Sequence, residues 1–209
     1  IPAHGNRKEE TVDCAPRRCF IPVAGWVFVA ADYSQLELRL LAHFSGDENL
    51  LEILNRSLDS DRTFDVFKTM AARIYQKPTE DVTKENRQHA KQICYGIIYG
   101  MGNKSLAGHL GVDIERADEF RQDFFRAFPR IQEFTDNLIE KCEQDSYVES
   151  LLGRRRTITE INSDNSSAKN RANRVAINTR IQSSASDIIK LAMKAVHQRI
   201  LDDYVNNVR

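Results

Sequence analysis

From Leu36 to Phe128 the apolar residues return at intervals of three and four rather than two, which commits that length of chain to packed helices. Leu36, Leu40, Leu41 and Phe44 form one such run, and Gly46–Asp47 breaks it, with Asp47 placed to cap the next helix. Phe64, Phe67, Met70, Ala71 and Ile74 share another face, closed by Pro78. Glu85–Tyr99 is a third pattern, ended by Gly100 and Gly102, and Asn103 opens a short helix up to Gly111. Ile114, Ala117, Phe120, Phe124 and Phe128 make one stripe, and Pro129 restarts the chain into a helix through Cys142. Ala168–Leu201 is long and helical in character. Two stretches read as strands: Trp26–Ala31, an apolar run after Gly25, and Tyr147–Leu152, with Gly153 starting the turn after it. The layout is strand, about six helices, strand, long helix, which predicts a predominantly helical α/β (α+β) fold with a helical insertion between two pieces of a sheet-bearing unit.

A chain of 209 residues supplies one large domain or two closely packed ones. With 41% apolar and 29% charged residues it reads as soluble and globular. The longest apolar stretch, near Val23–Ala31, is too short to span a membrane, and Ile1–Glu10 lacks the apolar segment of a secretory signal. Cys14, Cys19, Cys94 and Cys142 form no C-x-x-C pair and are expected as free thiols in a reducing compartment. The net charge is zero, which does not by itself favour a nucleic-acid binder. Between Glu149 and Gln182, however, Arg154, Arg155, Arg156, Lys169, Arg171, Arg174 and Arg180 outnumber Glu149, Glu160 and Asp164. That segment suits either a phosphate-facing surface or a solvated helix face.

The most informative spacing is Arg87, Lys91, Tyr95 and Tyr99. Residues four apart share a helix face, so one stripe offers a guanidinium, an ammonium and two phenol rings in order. Cations suit a triphosphate, and flat rings suit its sugar and base. Gly96 and Gly100 permit close backbone approach. The same spacing also fits a surface helix with half-buried aromatics, and the residues alone leave both readings open.

Arg87-x3-Lys91-x3-Tyr95-x3-Tyr99-Gly100 resembles motif B of the family A DNA polymerases. Asp32-Tyr33-Ser34-Gln35-Leu36-Glu37-Leu38-Arg39 resembles their motif A. Leu152-Gly153-Arg154-Arg155-Arg156 and Arg174-Val-Ala-Ile-Asn178-Thr-Arg-Ile-Gln182 resemble two further signatures, in the family's order. The wording from Lys91 to Leu106 looks most like the theta branch of that family.

The resemblance implies a partial palm sheet with an inserted helical fingers subdomain: residues 1–45 as a palm segment with motif A, 46–165 as fingers, and 166–209 as a long helix beside the palm that meets primer–template. It implies Asp32 and the Tyr33 carbonyl as ligands of Mg²⁺, with two ions and a second carboxylate outside the chain. It implies Glu37 as the gate against a ribose 2′-hydroxyl, with Gln35, Arg87, Lys91, Tyr95 and Tyr99 around the deoxynucleoside triphosphate. Asp32 and Lys91 carry the catalytic roles, Lys91 as proton donor to pyrophosphate. The Tyr95 hydroxyl, where many members have Phe, is expected to favour dideoxynucleotides. Arg154, Arg174, Asn178 and Gln182 are implied to contact primer–template, the last three from one helix face toward the minor groove. His43 is read as structural, inside an apolar helix.

Three departures stand against the family pattern. Ser183 replaces a Gly in the closing Gln182-Ser-Ser-Ala-Ser-Asp187, and Asn173 stands where a Glu usually precedes the Arg. No His-Asp-Glu motif follows Gln182, and Asp202 and Asp203 come too early for it. The thumb is likewise expected outside the chain, so the chain alone is expected to be inactive. The functional expectation is a DNA-directed DNA polymerase, monomeric in its core, in DNA repair and nuclear if theta-like. The alternatives are a replicative or organellar member, and a degenerate domain that binds DNA without catalysis.

Overall fold

The computed structural model describes residues 15–59 and 64–207. Eight α-helices and one two-stranded sheet are formed among them. They are α1 (Leu36–Ser45), α2 (Glu48–Asp59), α3 (Val66–Ile74), α4 (Lys84–Ile98), α5 (Asn103–Leu110), α6 (Ile114–Ala127), α7 (Pro129–Asp145), β1 (Tyr147–Glu149), β2 (Arg155–Thr157) and α8 (Ser166–Asn207). The chain divides into two compact units, one up to Ser34 and one from Gln35 onward.

The first unit holds a 3₁₀ turn at Pro16–Cys19 and a turn at Gly25, where the Trp26 N–H donates to the Val23 carbonyl at 2.9 Å. Trp26–Ala31 forms no strand or other regular element, which corrects the sequence reading. A strand exists only when a neighbour completes its hydrogen-bond ladder, and among the described residues this segment has none. Its side chains are correspondingly bare: Trp26 is 75% and Val29 90% exposed.

The second unit is helical because its stop signals act where they stand. The Asp47 side chain caps α2, accepting from the Leu50 N–H at 3.0 Å, and its other oxygen accepts from the Arg130 N–H at 3.1 Å. Arg130 also donates to the Gly46 carbonyl and pairs with Glu48, which ties the start of α7 to the α1–α2 corner. Asp65 caps α3, Thr83 forms a capping box with Asn86 on α4, and Asp113 caps α6. Gly46 and Gly111 end α1 and α5 in the left-handed conformation that glycine adopts freely.

The apolar faces read from the sequence are the buried ones. Leu38, Leu41, Leu50, Met70, Ile93, Ile98, Phe124, Phe128 and Ile131 are among the fully buried side chains of one core shared by α1 to α7 and part of α8. A smaller core gathers Cys142, Val148, Ile158, Ile161, Ala172 and Ala176 beneath the hairpin. β1 pairs antiparallel with β2, Val148 opposite Arg156. The expected strand is therefore three residues long, and its partner, Arg155–Thr157, overlaps the arginine run, where the sequence offered a family signature and a basic surface but no strand. His43 is exposed, not interior, because it lies off the Leu40–Leu41–Phe44 stripe; its ring stands 5.4 Å from that of Phe44.

Candidate nucleotide and nucleic-acid site

The stripe on α4 is present and is half-buried along its length: Arg87, Lys91, Tyr95 and Tyr99 are all partly covered, with Tyr99 as the residue that caps the helix. Its opposite face, with Ala90, Ile93, Cys94, Ile97 and Ile98, is in the core. That amphipathicity fixes the rotation of the helix and leaves the cation-and-ring face outward. Burial pushes the Cys94 thiol up to about 12, so it is an inert core side chain.

The face is supported from α3. The Lys91 ammonium lies 5.8 Å from the centre of the Phe67 ring, and the Tyr95 ring lies 5.8 Å from the same ring. Tyr95 and Tyr99 stack at 6.2 Å with 17° between their planes. Arg87 donates its Nε to the Asp65 carboxylate at 2.5 Å. Partial burial works to raise the Asp65 carboxyl, but hydrogen bonds from Arg87 and from the Lys68 N–H outweigh it and hold the group below its ordinary value. The sequence reading missed Asp65 and placed Phe67 only on an apolar helix face, without its contact to the α4 stripe. Asp65 carries a cap signal before an apolar run, but nothing in a sequence shows that the cap faces Arg87.

The far end of α4 is pressed onto α8. Gly100 adopts φ +64°, and a Cβ there would stand 2.9 Å from the Arg174 Cα. No L-side chain fits that contact, so the glycine after Tyr99 is a steric requirement. Arg174 is exposed, Asn178 half-buried and Gln182 exposed along the same helix. The Asn178 amide oxygen is buried without a hydrogen-bond partner, as is that of Asn173.

The basic segment is largely self-neutralised. Arg154 pairs with Asp187 at 2.6 Å and donates to the Ser183 carbonyl at 2.9 Å. Arg155 pairs with Glu149, Lys169 with Glu143 and Arg171 with Glu160. Arg180 lies 4.1 Å over the Phe44 ring and donates to the Glu149 carbonyl, and its burial lowers its pKa. Arg156 donates to the Thr179 hydroxyl. Of the seven bases, Arg156, Arg174 and Arg180 have no carboxylate partner among the described residues. Arg154 thus sits in an internal ion pair with Asp187, a side chain only 3% exposed.

Glu37 is half-buried in the first turn of α1. Gln35 caps that helix in the left-handed conformation, φ 51° and ψ 44°, which is unusual for a residue other than glycine. Asp32 and Tyr33 lie in the first unit, both exposed. Among the described residues no three His, Cys, Asp or Glu side chains gather as a metal site. Asp32 and the Tyr33 carbonyl are two ligand groups, too few to complete the shell of a hard divalent ion without further ligands.

The family model for DNA polymerase family A matches residues 1–208. The chain belongs to DNA polymerase family A. It is 39% identical to DNA polymerase theta of Mus musculus over 95% of this chain and 8% of that protein. It is 39% identical to DNA polymerase I of Geobacillus stearothermophilus over 90% of this chain and 21% of that one. Among solved structures it matches the POL domain of Pol1 from M. smegmatis in complex with DNA primer-template and dNTP, with a TM-score of 0.75, 36% identity, and coverage of 82% of this chain and 29% of that chain. The chain therefore spans less than a third of the proteins it resembles. The predominantly helical fold expected of the family member is the one observed, and no described helix is long and apolar enough to cross a membrane.

Proposed function

We propose that this chain forms the nucleotide-binding part of a DNA-directed DNA polymerase. The observation that carries the reading is the outward face of α4, where a guanidinium, an ammonium and two stacked phenol rings stand in order on a helix whose other face is core. Arg87 and Lys91 bind the triphosphate oxygens, and Tyr95 and Tyr99 cover the sugar and base. Because transfer of a nucleotidyl group asks mainly for alignment and charge stabilisation, two fixed cations are the right contribution from this helix. Lys91, held against Phe67, is the group that hands a proton to the departing pyrophosphate. Glu37 closes on the 2′ position and excludes ribonucleotides, and Gln35 lies beside it. Arg174, Asn178 and Gln182 face the minor groove of primer–template, with Arg154 acting through its pair with Asp187 on the loop that carries it.

On this reading residues 1–45 are a palm segment, 46–165 the fingers and 166–209 a helix beside the palm. Asp32 and the Tyr33 carbonyl contribute oxygen ligands to Mg²⁺, which supplies charge neutralisation at the triphosphate when bound. A theta-like role in nuclear DNA repair rests on the wording of the motif from Lys91 to Leu106, since the chain is equally 39% identical to the mouse theta protein and to the Geobacillus polymerase I. A second reading, primer–template binding without catalysis, is favoured by Ser183, Ser186 and Asn173, which depart from the family pattern on α8.

A chimera tests both. Residues 15–207 replace the matching segment of the Geobacillus polymerase, and primer extension is measured. The proposal expects extension, lost with Asp32→Asn and reduced about 100-fold or more with Lys91→Ala. A folded chimera that binds primer–template but never extends it refutes the catalytic reading in favour of the second.

A further inference from the structure

The ion pair at the start of the α4 stripe joins two elements through one carboxylate. Asp65 Oδ1 accepts from the Lys68 N–H at 3.0 Å and so caps α3, while Oδ2 accepts from Arg87 Nε at 2.5 Å. The carboxylate is thereby fixed by its own helix. It takes only the Nε of the guanidinium, so the two Nη groups have no hydrogen-bond partner among the described residues. The Arg87 side chain is 39% exposed, on the face that also carries Lys91. An arginine free in solvent loses considerable rotamer freedom when it grips an anion, and one already held at Nε has less to lose.

We propose that Asp65 is a positioning residue for phosphate: it holds Arg87 by Nε so that the Nη fork is presented to the triphosphate. This rests on the reading of α4 as the nucleotide helix. Two effects oppose each other here. Asp65 adds a negative charge near an anionic ligand, which Coulomb's law counts against binding. It also pre-orders the group that makes the strongest, charge-assisted contacts. The pair is partly exposed, so screening weakens the repulsion, while the orientation is set by two short hydrogen bonds that screening does not remove. Orientation therefore wins, and removing the carboxylate weakens binding.

The test is calorimetric binding of inorganic tripolyphosphate and of dATP to the whole chain. Asp65→Ser keeps a good helix cap but is too short to reach Arg87. It is expected to bind both probes about three- to tenfold more weakly, a discount on a full charged hydrogen bond for partial exposure, with its melting temperature unchanged. Asp65→Asn, which retains an acceptor at the same place, is expected to recover much of the loss. If Asp65→Ser folds with a lower melting temperature, the Asp65→Asn comparison still decides. If Arg87→Ala weakens binding but Asp65→Ser binds as tightly as the parent or more tightly, the positioning role is wrong and the nucleotide helix stands. If the parent binds neither probe, or Arg87→Ala changes nothing, the nucleotide helix itself is wrong and the positioning role falls with it.

Discussion

Single residues carry the sharpest consequences of this fold. Gly100 is the clearest, because its φ and its neighbour are independently intolerant of a side chain. Gly100→Ala meets the Arg174 backbone, not a movable side-chain tip, so truncating Arg174 does not relieve it. The expected loss is about 2–4 kcal/mol, overpacking added to left-handed strain, read by urea denaturation. A change below half a kcal/mol, on the order of a surface substitution, would mean that α4 and α8 are not held at this contact. Asp187 makes a pH prediction. Burial tends to raise its pKa, but the Ser150 hydroxyl, the Leu152 N–H and Arg154 outweigh that and lower it from 3.8. A depressed carboxylate stabilises the fold above the unfolded-state value and loses that contribution as the pH falls below it. Asp187→Asn should therefore cost about 1–3 kcal/mol at neutral pH. The gap from the parent should close as the pH drops below 3.8, and a gap that stays constant would contradict the assignment. At this scale the sequence was a good guide to which face of α4 matters and a poor one to what supports it. The four-residue spacing of Arg87, Lys91, Tyr95 and Tyr99 is local and survives folding. Asp65 and Phe67 reach that face only through packing of α3 on α4, which no spacing encodes. His43 shows the converse: its neighbours were legible as apolar, but its own angle on the helix put it in solvent.

Elements formed where capping chemistry and apolar period agreed. The Thr83–Asn86 capping box on α4 is such a case, with the Asn86 N–H donating to the Thr83 hydroxyl at 3.1 Å and the Thr83 N–H to the Asn86 side chain at 3.4 Å. Thr83→Ala should lower stability by about 1 kcal/mol, and Thr83→Ser should restore most of it. Equal stability of all three proteins in thermal melts would show that the box contributes nothing. Trp26–Ala31 failed as a strand for a reason the sequence cannot reveal. Helices satisfy their own backbones, whereas a strand depends on a partner that must be brought to it. The hairpin obeys the same logic from the other side: Val148 alternates inward as a strand residue should, and it found Arg156 opposite because Gly153 turns the chain back.

Across the molecule, apolar surface is unevenly placed. The first half of α8 is packed, with Ala176, Ile181 and Ala185 buried, whereas Ile189, Leu191, Met193, Val196, Ile200 and Tyr204 in its second half are exposed. Exposed apolar surface of this density is uncommon on an isolated soluble chain. The chain should therefore enhance the fluorescence of an anilinonaphthalene dye. Met193→Lys with Ile200→Lys should reduce that signal with helix content unchanged, and an unaltered signal would place the dye elsewhere. The close approach at Gly100 also has a mechanical reading. At 1.5 Å per residue, the axial distance from residue 100 back to residue 87 is about 20 Å. One end of that rod, at Gly100, is pressed against Arg174 of α8, with no side chain of its own to act as a cushion. The contact is thus a fulcrum: each degree of tilt there sweeps the Arg87 end through about 0.3 Å, and about 10° would move it by the length of a hydrogen bond.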